Sequence, residues 1–166
     1  MTFKEAINTL IGDETRTLKI YLACSFAYTN KELTNERKDM MNKIQEYLET
    51  KSFEVYNPSK LKIENAWDYS YWDWGDLVYQ EDKKQLDSSN LVVFVSYGKE
   101  NNAGSVWEVG YACGRNISVL LVSMNPDSPE SLMTLHSAHA CIDGFEGLKN
   151  YDFETMPRTK IERIES

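Results

Sequence analysis

The stretch from Leu91 to Met124, LVVFVSYGKENNAGSVWEVGYACGRNISVLLVSM, constrains the fold more than any other part of the chain. Leu91–Ser96 and Ser118–Met124 are short, unbroken apolar runs rich in Val and Leu, the pattern of strands buried on both faces. Between them lies a polar loop, Tyr97–Gly104, with Gly98, Asn101, Asn102 and Gly104. That composition suits tight turns and lets backbone approach a ligand closely. Ser105–Cys113 then reads as a short helix with Glu108 on its first turn and Gly114 as its C′ residue. In a parallel sheet this loop lies at the carboxyl edge of a strand, where ligands bind.

Glu108 admits two readings. Ser105-Val106-Trp107-Glu108 fits a capping box, with Ser105 as N-cap and Glu108 reaching back to its amide, and an acid there suits the helix dipole. Alternatively it is a reactive carboxylate beside a Gly-Ser turn, and the rest of the chain has to decide.

A chain of 166 residues with 42% hydrophobic and 12% aromatic content fits one globular domain with a single core. The net charge of −8 disfavours duplex nucleic acid and acidic membrane surfaces as partners. No apolar run approaches a membrane span and no signal peptide opens the sequence. Cys24, Cys113 and Cys141 lack metal or redox spacing and read as reduced thiols of a cytoplasmic protein.

In chain order, Met1–Gly12 carries Phe3, Ala6, Ile7, Leu10 and Ile11 on one helical face, with Thr2 and Glu5 placed as a capping box and Gly12 as its stop. Leu18–Cys24 is the first buried strand, with Ser25–Asn30 as its exit loop. A helix from about Lys31 to Glu49 aligns Leu33, Met40, Met41, Ile44, Tyr47 and Leu48. Phe53–Tyr56 is a second strand, ended by Asn57-Pro58. Lys60–Tyr71 is irregular and leads into a crowd of aromatics, Trp67, Tyr69, Tyr71, Trp72 and Trp74. These either pack the loop down or form a subunit interface, or else wall a planar ligand. A helix from about Trp72 to Asp87 places Trp74, Val78 and Asp82 on one side, and Tyr79 with Asp82. After the central unit come a short helix, Leu132–His136, and a last strand, Ala140–Ile142.

Alternating strands and helices predict a single-domain, flavodoxin-like open parallel α/β sheet of about five strands, covered on both faces. The predicted division is a helical extension over 1–16, the domain over 17–156 and a charged, peripheral tail over 157–166. With flavodoxin-like order, the switch point falls between the first strand and Leu91–Ser96, bringing the Ser25–Phe26 loop against Asn102–Glu108. That site holds the carboxylates Glu108 and Asp82, the strand residue Tyr21, the aromatics Phe26 and Trp74, and the polar turn Asn102, Gly104, Ser105. A Walker lysine and a GxGxxG fingerprint are both missing, which excludes phosphate-loop and ordinary dinucleotide chemistry. His136, His139 and Cys141 have no standard metal spacing. What remains is carboxylate chemistry on a small ligand made of a planar group and a sugar.

The stretch Asn102-Ala103-Gly104-Ser105-Val106-Trp107-Glu108-Val109-Gly110-Tyr111-Ala112 resembles the signature of the nucleoside 2-deoxyribosyltransferase family. WDWGDLVYQED, with Trp74, Tyr79 and Asp82, resembles that family's upstream helix motif, and Tyr21–Phe26 its first strand and base-stacking loop. The resemblance runs from about Leu18 to Phe153, more loosely after Leu132. It implies transfer of a 2-deoxyribosyl group between nucleobases, a step of nucleotide salvage, with Glu108 as nucleophile and a covalent sugar-enzyme intermediate. Asp82 would exchange a proton with the base, Tyr21 would hold the Glu108 rotamer, and Phe26 and Trp74 would stack on the base. No cofactor or metal is implied. The implied partners are deoxynucleosides and free bases, in a homo-oligomer (dimer or hexamer) with shared active sites.

Two departures mark this chain. The family usually has Asp where Asn102 stands, at the sugar's 5′ side, so the hydrogen-bonding shape stays while a charge is lost, which would admit a 5′-phosphate. The polar residue that a neighbouring subunit lends to the sugar has no clear counterpart near His139-Ala140. An N-glycosidase acting on deoxynucleoside 5′-monophosphates, with water as acceptor, is therefore the alternative, and a non-catalytic nucleotide-binding module the third reading.

Overall fold

The strands follow from the apolar runs. β1 (Lys19–Ala23), β2 (Glu54–Tyr56), β3 (Leu91–Ser96), β4 (Ser118–Ser123) and β5 (Ala140–Asp143) form one sheet in the order β2-β1-β3-β4-β5. Every registered pair is parallel. This computed structural model describes residues 2, 5, 6, 9, 17–25, 30–99 and 102–162. The helices are α1 (Lys31–Thr50), α2 (Tyr71–Asp87), α3 (Ala103–Gly114), α4 (Leu132–Ser137) and α5 (Gly144–Lys149). The order is the flavodoxin-like one, and its switch point lies between β1 and β3 as predicted.

Because neighbouring strand residues point to opposite faces, the sheet builds two cores. On one face Ile20, Leu22, Val93, Val95 and Leu120 pack against Met41, Ile44 and Leu48 of α1 and Leu148 of α5. On the other, Tyr21, Ala23, Val92, Phe94 and Leu121 meet Leu86 of α2 and Val109 and Ala112 of α3. Every residue of β3 is buried, as a central parallel strand requires. Tyr21 is thereby assigned to the α2–α3 face by alternation alone.

Caps set the helix starts. Asn30 accepts from the amides of Glu32 and Leu33 at 2.9 and 3.3 Å, opening α1. Ser70 accepts from the Asp73 amide at 3.1 Å and opens α2. At the amino end the Thr2–Glu5 box forms, with Thr2 N donating to Glu5 at 2.7 Å and Glu5 N to Thr2 Oγ1 at 3.1 Å. The rest of the predicted face (Phe3, Ile7, Leu10, Ile11) and Gly12 lie outside the described residues.

Several local expectations need correction. α3 begins at Ala103 with Asn102 in the N-cap position, so Ser105 is inside the first turn and Glu108 one turn further on. The Ser105–Glu108 capping box does not form, because both side chains are bonded elsewhere. Gly114 is still helical, and the left-handed residue that ends the turn is Asn116, with φ 59°. The aromatic segment does not pack down: Trp67, Tyr71 and Trp72 are 97%, 88% and 83% exposed. The tail is not merely peripheral. Cys141 N donates to Thr159 O at 3.0 Å, Thr159 Oγ1 donates to Cys141 O at 2.8 Å, and Ile161 is buried, so the tail covers the edge of β5. Among the described residues no helix is long and apolar enough to cross a membrane.

Candidate active site

Register places Tyr21 of β1 beside Tyr56 of β2, with ring centroids 5.4 Å apart. The Tyr21 hydroxyl donates to Glu108 Oε1 on α3 at 2.7 Å. The Tyr56 hydroxyl donates to Asp82 Oδ1 on α2 at 2.8 Å. Two tyrosines on adjacent strands therefore each hold one carboxylate, and the carboxylates come from two different helices.

Burial dominates the electrostatics. It pushes Glu108 up to about 7; the Tyr21 hydrogen bond opposes this and the negative field of Asp82 adds to it. Asp82 is also raised by burial, against its bond from Tyr56, with Glu81 adding to the rise. Both tyrosine hydroxyls are held far above their ordinary value, chiefly by burial, so around neutral pH they donate and do not ionise. At neutral pH Glu108 is thus poised between acid and carboxylate, which suits a group that must be nucleophile and then leaving group.

The loop after β1 is joined to α3 by Ser25 Oγ and Ser105 Oγ at 3.0 Å, as the switch-point argument requires. Phe26, the proposed stacking residue, lies outside the described residues. Gly104 is exposed on the first turn of α3, and a Cβ there would meet nothing within 4 Å. Trp74 lies two turns from Asp82 along α2 and has its ring contact with Tyr71, at 6.5 Å between centroids. Tyr79 instead meets Trp107, at 5.6 Å.

Asn102 is the largest surprise. Its Nδ2 donates to Glu130 Oε1 and Oε2 at 2.6 and 2.7 Å and to the Gly98 carbonyl at 2.9 Å. Ser96 Oγ also donates to Glu130 Oε1. Gly98 has φ +100°, and a Cβ there would lie 2.5 Å from the Ser128 carbonyl, so only glycine fits. The neutral side chain at position 102 thus has an acidic neighbour, supplied by the loop following β4.

Sequence reasoning missed Tyr56 and Glu130. Tyr56 carried a signal, as the last residue of a strand adjoining β1 and immediately before Asn57-Pro58. Glu130, in a loop at the same sheet edge, carried only its position. His139 Nε2 donates to the Met156 carbonyl at 2.7 Å, and among the described residues no group of His, Cys, Asp or Glu could hold a metal ion. Three concavities, of about 370, 480 and 380 Å³, are lined by other residues, near Phe53 and Tyr151, along β5 and the tail, and between His136, His139 and the tail.

The fold is shared with solved structures. A 2-deoxyribosyltransferase from Bacillus psychrosaccharolyticus superposes with a TM-score of 0.67 at 23% identity, covering 86% of this chain and 98% of that one. A conserved protein from Enterococcus faecalis V583 gives 0.63 at 18% identity, covering 81% and 96%. At these identities the likeness speaks for the fold. A search of curated proteins finds no match. The model of the nucleoside 2-deoxyribosyltransferase family, however, matches residues 20–154, which include Tyr21, Asp82, Asn102 and Glu108. The chain belongs to the nucleoside 2-deoxyribosyltransferase family.

Proposed function

We propose that the protein moves a 2-deoxyribosyl group from one nucleobase to another through an ester on Glu108. One observation carries this reading: Tyr21 fixes Oε1 of Glu108 by a single hydrogen bond, while among the described residues Oε2 takes none. A half-satisfied carboxylate with a fixed rotamer is what attack on an anomeric carbon needs. Oε2 forms a bond to that carbon as the bond to the base nitrogen breaks and its electron pair leaves with the base. Asp82 gives the departing base a proton. A second base then yields a proton to Asp82 and attacks the same carbon, and the carboxylate leaves. Tyr56 keeps Asp82 aimed, and Tyr21 stabilises the carboxylate whenever it is free.

The exposed aromatics on α2 and the segment before it, together with half-exposed Trp107 on α3, support a homo-oligomer whose subunits close one another's sites. Light scattering showing an active monomer at assay concentration would remove that part of the reading. The N-glycosidase alternative leaned on the missing charge at position 102 and on the missing counterpart near His139-Ala140, and the Glu130 carboxyl group beside Asn102 weakens the first of these supports.

The test is incubation with deoxyinosine or thymidine plus adenine, followed by chromatography, and in parallel with dAMP alone. Formation of deoxyadenosine, with a sugar adduct on Glu108 in mass spectra from a slow analogue, is the expected result. Release of base and free sugar with no exchange product would mean that water, not a base, is the acceptor.

A further inference from the structure

The cleft between α4 and the tail differs in character from the other two concavities. Those are lined by carboxylates as well as cations, Asp152 and Glu154 with Lys51 in one, Asp143, Asp152 and Glu162 with Lys160 in the other. The cleft by α4, of about 380 Å³, carries His136, Arg158 and Lys160 and, among the described residues, no Asp or Glu. On a chain with 26 acidic residues against 18 Lys and Arg, this local excess of positive charge opposes the global field. Arg158 makes no ion pair among the described residues.

The walls are fixed and sorted by polarity. Thr159 is tied to Cys141 by two hydrogen bonds, His139 holds the Met156 carbonyl at 2.7 Å, and Ile161 is buried, so this part of the tail has a set position. Arg158 and Lys160 alternate with Thr159 and Ile161 and are exposed, as is His136 on α4. Leu135, Ala138, Cys141 and Ile161 form the buried and half-buried part of the lining, and among the described residues no Phe, Tyr or Trp takes part. The cleft therefore offers cations at its rim and an aliphatic interior, which suits a chain with a charged end and not a stacked ring.

We propose that this cleft binds a medium-chain aliphatic carboxylate, its chain along Leu135, Ala138 and Ile161 and its head group between Arg158, Lys160 and His136. The volume takes about ten methylenes, each close to the roughly 30 Å³ share of a water molecule. A single small anion can enter a local cationic rim despite the net charge of −8, whereas an acidic membrane surface is repelled by the molecule as a whole. None of Tyr21, Tyr56, Asp82 or Glu108 lines the cleft, so the site is separate from the paired acids.

The test is calorimetry on the whole protein with hexanoate, octanoate, decanoate, dodecanoate and hexadecanoate, and with decanol as the uncharged control. Affinity should rise about fourfold per added methylene up to decanoate and then level off, as burial of one CH₂ group predicts. Decanol should bind about tenfold more weakly than decanoate, having lost the hydrogen bonds to charged groups. R158Q/K160Q should cost decanoate about tenfold and leave decanol unchanged, and Ala138→Leu should move the plateau to a shorter chain. Cys141 locates the ligand. Saturating decanoate should slow its alkylation by N-ethylmaleimide severalfold in peptide mass spectra, while exposed Cys113, which does not line the cleft, reacts at its former rate. No saturable binding of decanoate up to millimolar concentration, equal affinity for decanoate and decanol, or an unchanged Cys141 rate overturns the proposal. So does affinity that climbs without a plateau to hexadecanoate, or capture by phosphatidylglycerol vesicles with no response to free decanoate, which would make the face a membrane-docking surface instead. Should the variants fail to fold, the ligand series and the Cys141 rates on the parent protein still decide.

Discussion

Glu108 and Glu130 stand at the same edge of the sheet and differ in how completely they are satisfied. Glu130 accepts from Asn102 on both oxygens and from Ser96 on one of them. Glu108 accepts one bond, from Tyr21, and keeps its second oxygen open among the described residues. Burial alone therefore does not single out a candidate nucleophile. A buried carboxylate with all its acceptors taken fixes neighbouring structure, whereas one with an unused oxygen retains the lone pair that chemistry requires.

The comparison breaks most visibly at Glu108. Replacing it with Gln should abolish base exchange, by on the order of 10³-fold or more, because a neutral amide neither attacks the anomeric carbon nor leaves from it. Glu130→Gln, by contrast, should keep exchange measurable, because the Glu130 oxygens are taken up by Asn102 and Ser96. If chromatography shows both variants equally dead towards every substrate, the distinction between the two glutamates is wrong.

Asp82→Asn comes next. Loss of a general acid typically costs about 10²-fold or more, and bases that leave without protonation should be affected least. A uniform loss across good and poor leaving bases, measured by steady-state rates, would deny Asp82 its proton-transfer role. Tyr21→Phe should cost less, about tenfold, the order of one hydrogen bond to a charged group. It should also move the pH profile. Exchange requires ionised Glu108, so kcat/KM in the parent should rise through about pH 7 and level off above it. The Tyr21 bond lowers that midpoint, and removing it should shift the rising limb to higher pH. A limb that stays in place would detach Tyr21 from Glu108.

The fold was legible because its determinants are local. Continuous Val-Leu runs demand buried strands, and parallel strands demand helical crossovers, so the order followed from few alternatives. Tyr21, Asp82 and Glu108 were named as candidates through their motifs, and the structure brings them to one edge of the sheet. The Glu130 partner of Asn102 was not legible, because no spacing rule connects two loops that meet only across strand ends. Tyr56 was hidden by the short strand carrying it. The start of α3 was placed two residues late because Ser105 looks like a cap, yet tertiary pairing with Ser25 takes its hydroxyl. Local propensity proposes a helix start; the packed neighbour decides it.

The smallest effect expected is on stability, and it separates the buried nucleophile from the helix cap that the sequence also allowed. Glu108 has an ordinary value of 4.5 and is pushed up to about 7 in the folded protein. Between these values the folded state keeps a proton that the unfolded chain has released. Stability must therefore fall as pH rises across that interval, and the cost is complete above it. Glu108→Gln cannot ionise, and its amide oxygen can still accept from Tyr21. Parent and variant should melt alike near pH 4.5, and the variant should gain progressively to pH 8, by about 1–3 kcal/mol or a few degrees. A capping glutamate predicts the opposite trend, since an ionised acid near a helix start is favoured and its replacement loses that benefit as pH rises. Thermal melts of both proteins from pH 4.5 to 8 decide the matter. A difference that is flat with pH, or that turns against the variant at high pH, would show that Glu108 is not the desolvated carboxylate on which the mechanism depends.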